Sequence, residues 1–299
     1  MGRPPAVAGR FYEASGPELE RRVRALAATD PSVPPRPVVG AVSPHAAYEY
    51  SGAVAGRVFS RIVVPDVVVV LAPNHTGLGQ PAAVGVDGPW QMPTGDIEID
   101  AEVAWRVVGS CEHLVADDLA HATEHAIEVQ VPFLQARNPA VRIVPVCLRT
   151  MSFEMCGCIG KGIARALAGI EDRVLLVASS DMSHHEPLRV ATRKDRMAIE
   201  RIREMDAHGL YSAVVDHHVS MCGVVPVTVM LVAARLLGAR HAELIDYATT
   251  GDVSRDDSSV VGYAGLVVTK ERPRHVLRSL ADEEKAAARP GPQRAALEL

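Results

Sequence analysis

A chain of 299 residues is long enough for one large domain or two modest ones, and 48% hydrophobic residues fill a sizeable core, which excludes disorder for most of its length. The 31 basic and 36 acidic residues leave a net charge of −5, the opposite of the basic balance with which a protein neutralises nucleic-acid phosphates. Only 4 Phe, 2 Trp and 6 Tyr stand against 42 Val and 12 His, so the core is aliphatic and strand-prone, and stacking on bases is disfavoured.

In chain order, Pro37–Ser43 reads as a buried strand and Ser51–Ile62 as an amphipathic helix. Asp66–Ala72 is an almost unbroken Val run, the pattern of a strand covered on both faces. Ala82–Val86, Val141–Leu148 and Arg173–Ser179 are further strands; Asp100–Gly109, Glu124–Ala136, Ser152–Gly169, Pro187–Met205 and Gly223–Leu237 are helices. Ala242–Thr250 and Val260–Val268 close the pattern as late strands, antiparallel at an edge or in a second layer. Alternation of this kind predicts a single α/β domain over residues 3–269, a mainly parallel or mixed sheet flanked by helices. Residues 270–299 are charged and rich in Ala and Pro and are expected to be disordered. Neither a run of the ~20 apolar residues that a membrane helix needs nor a signal-like h-region is present, which reads as a cytoplasmic protein without membrane contact.

Parallel sheets bind ligands beyond the carboxyl ends of their strands, and the polar residues gather there. His45 follows the first strand, Asn74 and His75 the second, and Asp181 and His184 the strand ending at Ser179. Cys222 stands before the helix at Gly223, where the helix dipole lowers a thiol pKa and favours the thiolate. Two neutral imidazoles with a thiolate or carboxylate suit a transition metal, whether iron, copper or zinc, and Asp181 and His184 then orient a ligand or move a proton. Cys111, Cys147, Cys156 and Cys158 lack such a context and read as packing residues. His121, Glu124, His125 and Glu128 form a second cluster. It reads as an acidic, solvated first helical turn with surface histidines; the alternative is a helical metal face, since His121, His125 and Glu128 fall at i, i+4 and i+7.

Five ordered segments carry a resemblance to a known family: Ala6-Val7-Ala8-Gly9-Arg10-Phe11-Tyr12, Pro44-His45-Ala46-Ala47-Tyr48-Glu49-Tyr50-Ser51-Gly52, Pro73-Asn74-His75, Glu124-His125-Ala126-Ile127-Glu128-Val129-Gln130-Val131-Pro132-Phe133 and Ser179-Ser180-Asp181-Met182-Ser183-His184. In these the chain resembles the Memo family, whose prokaryotic members are also called AmmeMemoRadiSam system protein B. The resemblance implies a fold similar to LigB-type class III extradiol dioxygenases and a redox-active metal site, with His45, His75 and Cys222 as ligands. Iron(II) is the metal expected, with copper or zinc as alternatives. His184 is the expected catalytic proton carrier, with Asp181 fixing its tautomer; Phe11, Tyr48, Asn74 and His125 are expected to line the substrate pocket. The same resemblance implies a small-molecule or peptide ligand and functional links to a radical-SAM protein and an AMMECR-type protein. Three positions depart from the family's pattern: Ala47 replaces a usual Gly, Val225 a small residue, and Phe11 the Trp that touches peptide in the eukaryotic member.

Two function classes follow. One is a metal-dependent redox enzyme. The other is an adaptor that uses the same cleft to bind a phosphopeptide or another anion.

Overall fold

The Val67–Leu71 run offers water no polar side chain, so it is stable only when both of its faces are covered. In the computed structural model, which describes residues 2–271, it lies inside a mixed sheet. Nine strands build that sheet among the described residues: β1 (Gly40–Ser43), β2 (Val67–Pro73), β3 (Ala82–Val84), β4 (Val115–Ala116), β5 (Arg142–Leu148), β6 (Val174–Ser179), β7 (His184–Glu186), β8 (His241–Thr249) and β9 (Val260–Thr269). The order β5-β2-β6-β1 is parallel. On one side β3 pairs antiparallel to β5 and carries β4 at the edge; on the other β9 pairs antiparallel to β1, with β8 and β7 paired on β9. The expected α/β domain is therefore present, and its two late strands are antiparallel.

Nine helices pack around it among the described residues: α1 (Gly16–Leu26), α2 (Gly52–Ser60), α3 (Ala101–Val108), α4 (Val131–Arg137), α5 (Phe153–Leu167), α6 (Leu188–Arg203), α7 (Ala207–Asp216), α8 (Val224–Leu236) and the short α9 (Gly251–Ser254). Successive residues of β2 divide between two cores, as the period of a strand requires. Val67, Val69 and Leu71 join residues of α3, α5, α6, α7 and α8, while Val68, Val70 and Ala72 join residues of α1, α2 and α4. α8 is apolar on every side and correspondingly buried from Val225 to Leu231. The sequence reading missed α1 and α7, both short and carrying polar faces.

One predicted helix forms only in its second half. Glu124–Ala136 is not continuous: a 3-10 turn occupies Glu128–Gln130, and α4 begins only at Val131, with Pro132 in its first turn. The cause is Glu124, whose carboxylate accepts the backbone N–H groups of His125 and Ala126 and so ties the segment into a turn. His121, His125 and Glu128 consequently share no helical face. The solvated reading of the cluster fails as well, because His121, Glu124 and Glu128 are all buried. Of the predicted tail, residues 272–299 lie outside the described residues.

His121 supplies a test of this burial. Its ring lies between Trp90 and Cys147, and burial, reinforced by the Arg3 charge, holds its pKa down at about 4 from an ordinary 6.5. A histidine depressed by folding adds its full stability above the unfolded pKa and loses it as pH falls toward the folded one. Between pH 6.5 and 4 the fold should therefore lose up to about 3 kcal/mol through this one side chain. Melting curves over that range should converge for the parent and His121→Gln; curves that stay parallel would contradict the assignment.

Candidate metal centre

The carboxyl ends of β1, β2 and β6 lie side by side, with Ser43 paired to Ser179, and each delivers polar residues to one rim. His45, just after β1, is 2% exposed. Its backbone N–H donates to Asp181 Oδ1 at 2.8 Å, and its Nδ1 lies 2.9 Å from Ser179 Oγ. Ser179 Oγ donates its own proton to the Ala126 carbonyl at 2.7 Å and accepts from Gln130 Nε2 at 2.9 Å. A hydroxyl has one proton, so toward His45 it can only accept, and Nδ1 must carry the hydrogen. The lone pair is therefore on Nε2, which faces Cys222 Sγ at 3.2 Å.

His75 is oriented in the same manner. Glu124 Oε1 accepts from its Nδ1 at 2.9 Å, and Oε2 from its backbone N–H at 2.6 Å. The same Oε1 lies 3.3 Å from His125 Nδ1. Rings of His75 and His125 stack at 4.9 Å, and His45 stands edge-on to both, at 5.2 and 5.6 Å. One donor atom from each of His45, His75 and His125 falls within 4.8 Å of the other two. Three inward-facing imidazoles, two of them held by an acceptor on the far nitrogen, are a donor set that fits a transition metal.

Electrostatics disfavour the charged form of two of these rings. Burial first, then the neighbouring His125, His75 and His184, push His45 well below the usual imidazole range, and burial likewise lowers His125. Burial would raise Glu124, but the bond and charge of His75 and the Ala126 amide outweigh it and hold the carboxyl at about 2. Asp181 goes the other way, to about 6, because burial outweighs the amide of His45 and the charge of His184.

Cys222 reaches the rim through Gly223. A Cβ on Gly223 would fall 2.3 Å from Ser180 Cβ, so only glycine lets the chain pass this close to the end of β6. Cys222 Sγ accepts from the Asp181 backbone N–H at 3.3 Å. The expectation of a low thiol pKa is corrected: burial and the Asp181 carboxylate push it up, and the hydrogen bonds to the sulfur do not compensate. The role expected of Asp181 toward His184 is also corrected, since His184 Nδ1 pairs with the Ser220 carbonyl at 2.8 Å and Asp181 serves the His45 amide.

Of the expected pocket residues, Phe11 packs edge-on to His125 with centroids 4.9 Å apart. Asn74 closes its own loop, donating to the Leu78 carbonyl and accepting from Gly77 N–H. Tyr48 is buried, its hydroxyl donating to the Val129 carbonyl at 2.7 Å. Sequence reasoning placed Glu124 on a solvated helical turn and assigned no role to Ser179 or Gln130. The available signal was their place inside the matched segments, beside or within a few residues of His125 and Asp181.

A family model, Memo-like protein, matches residues 3–267. The chain belongs to the Memo family. A MEMO1 family protein of Methanopyrus kandleri is 42% identical over 281 residues, covering 89% of this chain and 99% of that protein. One from Methanosarcina barkeri is 40% identical over 89% of this chain and 99% of its own, and one from Aquifex aeolicus 38% identical over 89% and 98%. The crystal structure of an uncharacterized Escherichia coli K12 protein shares the fold at TM-score 0.51 and 12% identity, covering 76% of this chain and 98% of that one. Among the described residues of this Memo protein, no helix is long and apolar enough to cross a membrane.

Proposed function

We propose that this Memo protein is a mononuclear metal oxidoreductase acting on a small organic molecule, with iron(II) at His45 and His75 and a third donor from His125 or Cys222. The observation that carries the reading is the convergence of three imidazole donors within 4.8 Å at the carboxyl end of a parallel sheet. When bound, the metal would supply open positions for oxygen or substrate and a redox couple. The chain's own residues do the rest. Ser179 and Glu124 hold two rings with Nε2 inward. His184, half-buried with Nδ1 held by Ser220, keeps Nε2 available to give or take a proton. Phe11 packs edge-on against His125 and helps hold that ring in place. Kinship in chemistry with extradiol dioxygenases belongs to the same proposal.

The test is anaerobic loading with iron(II), copper(I) or zinc and metal analysis after gel filtration. One equivalent should be retained by the parent and lost by His45→Ala. Comparing His125→Ala with Cys222→Ala then identifies the third donor. Full retention in His45→Ala and His75→Ala would overturn the centre, and phosphopeptide binding that survives chelation would favour the adaptor.

A further inference from the structure

Away from the histidines, two other thiols meet. Cys111, in the loop after α3, and Cys158, in the second turn of α5, have sulfurs 3.1 Å apart. α5 is shaped to receive that loop. Gly162, one turn beyond Cys158, has no side chain in the way: a Cβ there would lie 2.9 Å from both Cys111 Cβ and Ser110 Oγ. A turn further on, Arg165 Nη2 donates to the Ser110 carbonyl at 2.7 Å. Three points on one helix face thus fix the loop, and the sulfurs need about 1 Å of travel to reach bonding distance. The remaining thiols do not compete: Cys147 pairs with His121 Nδ1, Cys156 is buried in the core, and Cys222 lies at the histidine rim.

We propose that Cys111 and Cys158 form a reversible disulfide in the presence of a peroxide. Cys158 is the more exposed of the two and meets the oxidant. Its thiolate attacks one peroxide oxygen; an S–O bond forms, the O–O bond breaks, and the departing hydroxide takes a proton to become water. Cys111 sulfur then attacks the sulfenic sulfur. The S–S bond forms as the S–O bond breaks, and the second water leaves with the Cys111 proton. Two thiols are oxidised by two electrons in all, and one peroxide is reduced to two waters; a dithiol reverses the change. The cross-link would join cysteines 47 positions apart and enclose Glu124, His125 and Gln130, so it staples both ends of the segment serving the histidine rim.

The experiment treats the full chain with a few equivalents of hydrogen peroxide, alkylates it in denaturant and maps its peptides. A cross-linked pair containing Cys111 and Cys158 is expected, lighter by two hydrogens and restored to thiols by dithiothreitol. It should persist in Cys222→Ser and vanish in Cys158→Ser. Because the cross-link restricts the unfolded chain, the melting temperature should rise by roughly 5 °C or more in the oxidised parent. Recovery of both cysteines as separate alkylated or sulfinic species, or pairing of either with another cysteine, would overturn the proposal.

Discussion

Replacing Glu128 with alanine should destabilise the fold by about 3–5 kcal/mol, the cost of stranding a buried charge. Glu128 is fully buried and its two oxygens serve four donors. Oε2 pairs with Arg3 Nη1 at 2.7 Å and accepts from the Ala6 N–H; Oε1 accepts from the Val7 N–H and from the Tyr12 hydroxyl at 2.6 Å. Arg3 adds bonds to the carbonyls of His121 and Glu124 and lies 4.2 Å above the Trp90 ring. Truncation leaves a guanidinium 8% exposed without its counter-charge, and two amides and a phenol without an acceptor. Glu128→Gln keeps one acceptor oxygen and should lose less. In thermal melts the alanine variant should fall by about 10 °C or more, and the glutamine variant by clearly less. A change in the alanine variant within a degree or two of the parent would show that the knot is not load-sharing. Loss of stability should also loosen residues 4–12, which place Phe11 against His125.

The same carboxylate shows where sequence reading stops. The Val run of β2, the apolar α8 and the strand-end positions of His45, His75 and Asp181 follow local rules, strand period and topology, and each was legible in the chain. The Glu124–Ala136 segment was not. Its acidic residues at a mimicked helix start satisfied every local criterion for a solvated first turn, yet Glu128 faces an arginine 125 positions away and Glu124 a histidine 49 positions away. Partners at that separation in sequence are set by the packed sheet, and no periodicity announces them. Cys222 failed for a related reason. Its place before α8 suggested a stabilised thiolate, but burial beside the Asp181 carboxylate pushes the thiol pKa up. Strand-end position pointed at His45 and His75; which nitrogen faces inward required the hydrogen bonds of Ser179 and Glu124.

Glu124→Ala is expected to weaken metal binding by roughly 10–100-fold while leaving all three imidazoles in the chain. The carboxylate is 1% exposed, and it orients the site in two ways. It fixes the His75 ring by accepting from Nδ1, which leaves Nε2 unprotonated and inward, and it positions the backbone of residues 125–126 that presents His125. With a pKa near 2 it remains ionised wherever imidazoles are neutral, so its negative charge also offsets that of a bound cation. Alanine removes all of these together; Glu124→Gln retains an oxygen that can accept from one partner and should recover part of the affinity. Competition titration against a chelator measures the constants, and the spectrum of a bound copper(II) or cobalt(II) probe reports the geometry. A purely structural role would lower the melting temperature while affinity and spectrum stay as in the parent. A positioning role moves both, more in the alanine than in the glutamine variant, and the order alanine, glutamine, parent in affinity is the signature to look for.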